Sequence, residues 1–85
     1  MDDRTRHDRT LRLLEARLEA LAGASERQPR GELRFEREIA ATVAATKHAI
    51  DLELISVEEA GAVWARVAGR HPDAGWCRTG PRLAA

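Results

Sequence analysis

The chain has 85 residues with 14 basic and 14 acidic side chains, so its formal net charge is zero. This length allows one small domain, and the balanced charge disfavours a general binder of polyanions. Aromatic residues make up 4% of the chain and charged residues 33%, which disfavours a β-sandwich or barrel and favours an all-α fold. The hydrophobic share of 44% includes 16 alanines, so few large residues remain to build a core.

The sequence shows no sign of export or of a membrane span. No apolar run approaches the roughly 20 residues that a membrane-spanning helix needs. Residues 1–15 are too charged for a signal peptide. The single cysteine, Cys77, cannot form a disulfide within the chain. We therefore expect a cytoplasmic protein that makes no membrane contact.

The first helical pattern runs from about residue 4 to residue 22. Its leucines recur every three or four residues, which places them on one narrow stripe of a helix: Leu11, Leu14, Leu18 and Leu21. Leu13 broadens this stripe. Gly23 is expected to end the helix, and residues 25–31 are expected to form the connecting turn. The stripe has the spacing of a short coiled-coil seam and predicts a partner helix, in this chain or in another.

The second helical pattern, from about residue 31 to residue 55, is the longest. Its apolar side is interrupted by the polar Thr46 and otherwise carries Phe35, Ile39, Val43, Ile50 and Leu54. Alanines occupy much of the remaining circumference, so another helix can approach closely. We expect this helix to be sandwiched, with contacts to both other helices or to a second copy.

A third helix is predicted from residue 57 to residue 69. Ser56 and Glu59 have the spacing of a capping box, in which each side chain accepts a hydrogen bond from the backbone of the other.

With the two earlier patterns, this third helix predicts one helical domain over residues 1–72. Residues 73–85, with two glycines and a proline, are predicted to form an irregular tail anchored by Trp76.

These patterns predict an all-α unit, a helical hairpin plus a short third helix, that is oligomeric or docked on a partner because its core is thin. The predicted function is a protein–protein interaction module acting as an adaptor, accessory subunit or regulator. We expect no cofactor and no enzymatic activity. The predicted interface consists of the large apolar residues: Leu11, Leu14, Leu18, Leu21, Phe35, Ile39, Val43, Ile50, Trp64 and Trp76.

An alternative interpretation is a small nucleic-acid-binding regulator. Residues 60–85 carry four basic and one acidic side chain, and both tryptophans lie in the same segment as the arginines. Arginines can follow phosphates while tryptophans stack on bases. The competing interpretation pairs these arginines with the acidic middle segment, residues 32–59, and buries the tryptophans. The arginines in question are Arg66, Arg70, Arg78 and Arg82.

Two smaller groupings suggest a metal-dependent or thiol enzyme, and each has a more ordinary explanation. His48 and Asp51 are three residues apart on one helix and could reach a common metal ion. A solvated histidine beside a salt-bridging aspartate explains the same pattern. His71 lies six residues before Cys77, but a nucleophilic cysteine needs a positioned base. A small apolar residue next to Trp76 is the ordinary explanation for Cys77.

Overall fold

The fold is a bundle of three helices. A computed structural model of the chain describes residues 3–27, 32–72, 74 and 76. The helices are α1 (Asp3–Arg27), α2 (Glu32–Asp51) and α3 (Val57–Arg70). All regular structure in these residues is helical, which confirms the all-α, three-helix prediction. Within the same ranges, no helix combines the length and the apolar character that crossing a membrane requires.

Helix α1 continues to Arg27, past its predicted end at Gly23. An internal glycine costs a helix about 1 kcal/mol relative to alanine. Contacts from the other end of the chain compensate for this cost. Trp76 donates its Nε1–H to Ser25 Oγ at 3.3 Å, and His71 hydrogen-bonds to Glu26. The turn predicted for residues 25–31 is therefore helical in its first part, and residues 28–31 lie outside the described residues.

Helix α2 ends at Asp51, one turn before its predicted end. The Leu54 N–H donates to the Ala49 carbonyl at 3.0 Å, and the Glu53 N–H donates to the Ile50 carbonyl at 2.9 Å. Glu53 has a φ of 60°, so these bonds form a Schellman motif with a left-handed residue after the helix. Glycine or asparagine usually marks this position, and a glutamate there gave no signal in the sequence.

Helix α3 begins at the predicted capping box. The Ser56 hydroxyl accepts a hydrogen bond from the Glu59 N–H at 3.1 Å, and the Glu59 carboxylate accepts one from the Ser56 N–H at 2.9 Å. The helix runs to Arg70, one residue beyond the predicted end. Its boundaries were predictable because the signals at its start depend only on neighbouring residues.

The central helix is α1, which packs against both α2 and α3. The sequence instead predicted that α2 would be sandwiched, because of its many alanines. The leucine stripe of α1 packs against α2 along one edge and against α3 along the other. Several of the α2 alanines, by contrast, remain exposed. The main core joins α1, the corner after α2, and α3, through Leu14, Leu18, Ile55, Val63, Trp64 and Val67.

Two threonines are buried where α2 faces α1. Thr42 and Thr46 are 0% and 1% exposed. Each hydroxyl donates at 2.7 Å to a backbone carbonyl one turn earlier, Thr42 to Glu38 and Thr46 to Thr42. A buried hydroxyl costs little when it is hydrogen-bonded, so Thr46 can occupy the apolar side of the helix.

The segment after α3 folds back onto the bundle. Ala74 is 1% exposed and belongs to the core. The Trp76 ring stands edge-on to that of Trp64, with centroids 5.9 Å apart and an interplanar angle of 87°. The tail was predicted to be irregular over residues 73–85. Apart from Ala74 and Trp76, those residues lie outside the described part of the chain.

Candidate interaction surface

The predicted leucine stripe is occupied by contacts within the chain. Leu14, Leu18 and Leu21 are 8%, 0% and 7% exposed, and Leu11 is half-buried against the core. The partner helices that this stripe required are therefore α2 and α3 of the same chain. Its leucines present little surface for a second molecule.

The remaining residues of the predicted interface also lie in or beside the core. Phe35 and Trp64 are buried. Four others are half-buried, and all of these except Ile39 pack against the main core: Ile39, Val43, Ile50 and Trp76. The exposed large apolar side chains of the described residues lie outside the predicted interface.

An open groove runs between α1 and α2 and is lined by two adjoining hollows. The first, of about 180 Å³, is formed mainly by Thr10, Leu13 and Leu14 of α1, Ala45 and Ala49 of α2, and Ile55. The second, of about 370 Å³, is formed by Ala20, Leu21 and Ala24 of α1 and Glu38 of α2. Arg17 and Thr42 line both hollows, which therefore adjoin, and the two hollows together are called the α1–α2 groove. No α3 residue lines either hollow.

Among the side chains that the structure describes, Leu13 is the most exposed large apolar one. It is 63% exposed and stands at the edge of the first hollow. Leu52, in the corner after α2, is the other large exposed residue at 57%, and it does not line the groove. The groove thus places one projecting leucine beside the small side chains of Ala45 and Ala49.

The walls of the groove carry opposite charges. Arg17 lies on the α1 wall and Glu38 on the α2 wall, and both side chains are exposed. Neither enters an ion pair with any other residue in the described ranges. Both charges are therefore available to a molecule that covers the groove.

The opposite side of α1 is closed by ion pairs to α3. Arg66 Nε donates to Glu15 Oε1 at 3.0 Å, and Arg70 Nε donates to Glu19 Oε2 at 2.9 Å. Arg70 Nη2 also lies 2.7 Å from the same Glu19 oxygen. The arginines of α3 therefore pair with α1, and not with the acidic segment 32–59 as the sequence suggested.

His71 completes this set of ion pairs at the end of α3. Its Nδ1 hydrogen-bonds to Glu26 and its Nε2 to Glu19. These bonds raise the pKa of His71 above its ordinary value, and Glu19 contributes more than Glu26. His71, followed by Arg70, lowers the pKa of Glu19 in return. Only the doubly protonated imidazolium can donate to both carboxylates, so the geometry favours the charged ring.

A second histidine joins the other end of α3 to α1. His7 hydrogen-bonds to Asp8 and to Glu59, and these two bonds raise its pKa, with Asp8 contributing more. The pKa of Glu59 is lowered, first by the Ser56 N–H and then by His7. The carboxylate that caps α3 therefore also holds this helix against α1.

The residues of the nucleic-acid and metal interpretations are held in ion pairs, lie exposed, or fall outside the described residues. A carboxylate of α1 already holds each of Arg66 and Arg70, so binding a phosphate would require an exchange of partners. His48 and Asp51 lie on the exposed face of α2, and no cluster of three or more potential metal ligands occurs in the described ranges. Arg78, Arg82 and Cys77 lie outside the described residues.

The chain matches no protein-family model, no curated protein and no solved structure. Its function is therefore inferred from the α1–α2 groove and the charges that line it.

The sequence contained signals for both sides of α1 that its leucine stripe obscured. Glutamates at 15 and 19 and arginines at 66 and 70 share a spacing of four residues, which brings two matched pairs together when the helices pack. On a helical projection Leu13, which broadens the stripe, lies on the flank opposite these glutamates. The first signal identifies the closed face of α1, and the second identifies the open face.

Proposed function

We propose that this chain is a small protein–protein interaction module, serving as an adaptor, accessory subunit or regulator, that binds its partner through the α1–α2 groove. The observation that carries the proposal is the position of Leu13, 63% exposed at the edge of that groove. Complete burial of a leucine side chain contributes about 1.5–3 kcal/mol. A partner that covers the groove would gain much of this contribution.

Exposure of one leucine is common on protein surfaces and has no meaning by itself. Leu52 stands apart from the groove, at a separate hollow of about 630 Å³ whose described lining is mostly charged or titratable. Leu13 differs in its surroundings. Beside it, Ala45 and Ala49 leave room for an inserted side chain, and Arg17 provides a charge that joins no ion pair within the described ranges. An exposed leucine, small neighbouring side chains and a charge at one site are together typical of a docking surface.

The small core supports the same proposal. Domains of this size bury a smaller share of their surface than larger ones, and their stability is correspondingly limited. Most large apolar residues of α1 already face α2 and α3, so the chain has no further element to cover the groove within the described ranges. A partner would supply the missing cover and would stabilise the folded chain by mass action.

The experiment is site-specific photo-crosslinking in the cells that make the protein. A photoreactive amino acid replaces Leu13 in one variant and Leu52 in the matched control, whose leucine has a similar exposure. A third variant combines the probe at residue 13 with Ala45→Arg, which fills the first hollow from an exposed position.

We expect a discrete adduct, identified by mass spectrometry, from the probe at residue 13. The adduct should be lost when Ala45→Arg fills the groove and should be absent from residue 52. Equal labelling from residues 13 and 52, or an adduct that Ala45→Arg leaves unchanged, would show that the groove is not a docking surface.

A further inference from the structure

The two walls of the α1–α2 groove have complementary shapes. The α1 wall projects, because Leu13 is 63% exposed. The α2 wall recedes at the same hollow, where the small Ala45 and Ala49 line it beside the buried Thr42. A leucine that enters from outside would therefore fit against α2, and the molecule itself carries such a leucine on α1. One surface holds both the inserting and the receiving group.

The charges of the groove follow the same division between the helices. Arg17 belongs to the projecting wall and Glu38 to the receding wall, and both line the second hollow. A partner that presents an acidic group to Arg17 and a basic group to Glu38 would satisfy both walls.

We propose that the occupant of the α1–α2 groove is a second copy of this chain, related to the first by a two-fold axis parallel to the helices. Such an axis places α1 of each copy against α2 of the other. Leu13 of each copy then meets Ala45 and Ala49 of the other, and each Arg17 meets the other copy's Glu38. Every group in the contact is used twice, as a two-fold interface requires.

The resulting assembly has four helices at the contact, with neighbours antiparallel, as in common helical bundles. The ion pairs of Glu15 and Glu19 with α3 lie on the opposite side of α1 and need not change. This inference rests on the proposed function, and it identifies the partner for the same groove.

Charge reversal tests the two-fold contact. Sedimentation equilibrium would be measured for the unaltered chain, for Arg17→Glu, for Glu38→Arg, and for an equimolar mixture of the two variants. Arg12→Glu is the matched control, because Arg12 is exposed on the same helix and does not line the groove. Circular dichroism shows whether each variant retains its helices.

We expect the unaltered chain and Arg12→Glu to dimerise. Each groove variant places like charges opposite each other twice, which should raise its dimer dissociation constant at least about tenfold. In the mixture, the glutamate introduced into one variant would face the arginine introduced into the other. The unaltered Glu38 of the first variant would likewise face the unaltered Arg17 of the second, so a heterodimer should form with near-original affinity. A pairing of Arg17 with Glu38 inside one chain would not produce this recovery.

Three results would overturn the second copy as the occupant. The unaltered chain could remain monomeric at concentrations up to about 1 mM. Alternatively, the two charge reversals could leave dimerisation unchanged, or their mixture could associate no better than either variant alone. If the chain is monomeric while residue 13 crosslinks to a different protein, the two-fold contact is wrong and the interaction module stands. If residue 13 gives no groove-dependent adduct, the interaction module itself is wrong.

Discussion

Glu53 occupies a backbone conformation that suits glycine. Its φ is 60°, and its side chain is exposed in the corner after α2. The left-handed conformation brings Cβ close to the following carbonyl, at a cost of roughly 1–2 kcal/mol for an L-residue. The Schellman hydrogen bonds of Leu54 and Glu53 hold the residue there despite that cost.

Glu53→Gly is therefore expected to stabilise the fold. Removing Cβ relieves the backbone strain, but the greater conformational freedom of glycine in the unfolded chain offsets part of this stabilisation. The net increase in the free energy of unfolding should be about 0.5–1 kcal/mol. Thermal unfolding followed by circular dichroism would show a rise of a few degrees, given about 4–8 °C for each kcal/mol in a domain of this size. Glu53→Ala is the control, because it removes the charge and keeps Cβ. An equal rise in both variants would attribute the effect to charge.

Helix boundaries that depend on neighbouring residues were predictable from the sequence, and boundaries that depend on packing were not. Ser56 and Glu59 determine the start of α3 through contacts within four residues, and that start was predicted correctly. The end of α1 depends on Trp76 and His71, which lie far along the chain. Gly23 therefore indicated an end that tertiary contacts override.

The candidate site was less predictable than the fold, for a related reason. A leucine stripe indicates that α1 needs partner helices but does not say how many come from the same chain. Two of them do, and together they cover Leu14, Leu18 and Leu21. The groove exists because α3 covers one side of α1 and leaves Leu13 on the uncovered side. The position of α3 could not be read from the leucine stripe.

Helix α1 offers a direct comparison between its buried leucine stripe and its open side. Leu18 is 0% exposed among residues of all three helices, whereas Leu13 is 63% exposed. Leu18→Ala removes buried methyl groups and leaves a cavity, so it should cost about 2–5 kcal/mol. Leu13→Ala should change the stability of the monomer by about 0.5 kcal/mol or less.

Urea unfolding at protein concentrations where the chain is monomeric would measure both variants. The total stability of small domains is about 0.05–0.15 kcal/mol per residue, so Leu18→Ala should remove a large part of it. Comparable losses in the two variants would mean that Leu13 is also part of the core, and that the groove is closed in solution.

On one side of α1, two histidines pair with carboxylates that join this helix to α3. His7 and His71 connect the two ends of α3 to α1 through Glu59, Glu19 and Glu26. Arg70 lies beside His71 and shares Glu19 with it. Both histidines have a raised pKa, and Glu19 and Glu59 have lowered ones.

Stability should consequently be greatest in mildly acidic solution. A histidine whose pKa is raised by folding stabilises the native state fully below its unfolded pKa, about 6.5, and this contribution disappears as the pH rises through the folded pKa. A glutamate whose pKa is lowered contributes above its unfolded pKa, about 4.3, and loses that contribution as the pH falls through the folded value. The two effects leave a maximum between about pH 4.3 and 6.5.

Urea unfolding across this range and up to about pH 9 would test the maximum, with His71→Gln and His7→Gln as the informative variants. Above about pH 6.5 the native chain holds more protons than the unfolded chain, so its stability should decline as the pH rises. Each substitution should remove part of that decline, and the double variant should remove most of it. His48→Gln is the control, because His48 is exposed on α2 and joins no ion pair in the described ranges. If the double variant declines as steeply as the unaltered chain, these histidines do not hold α3 against α1.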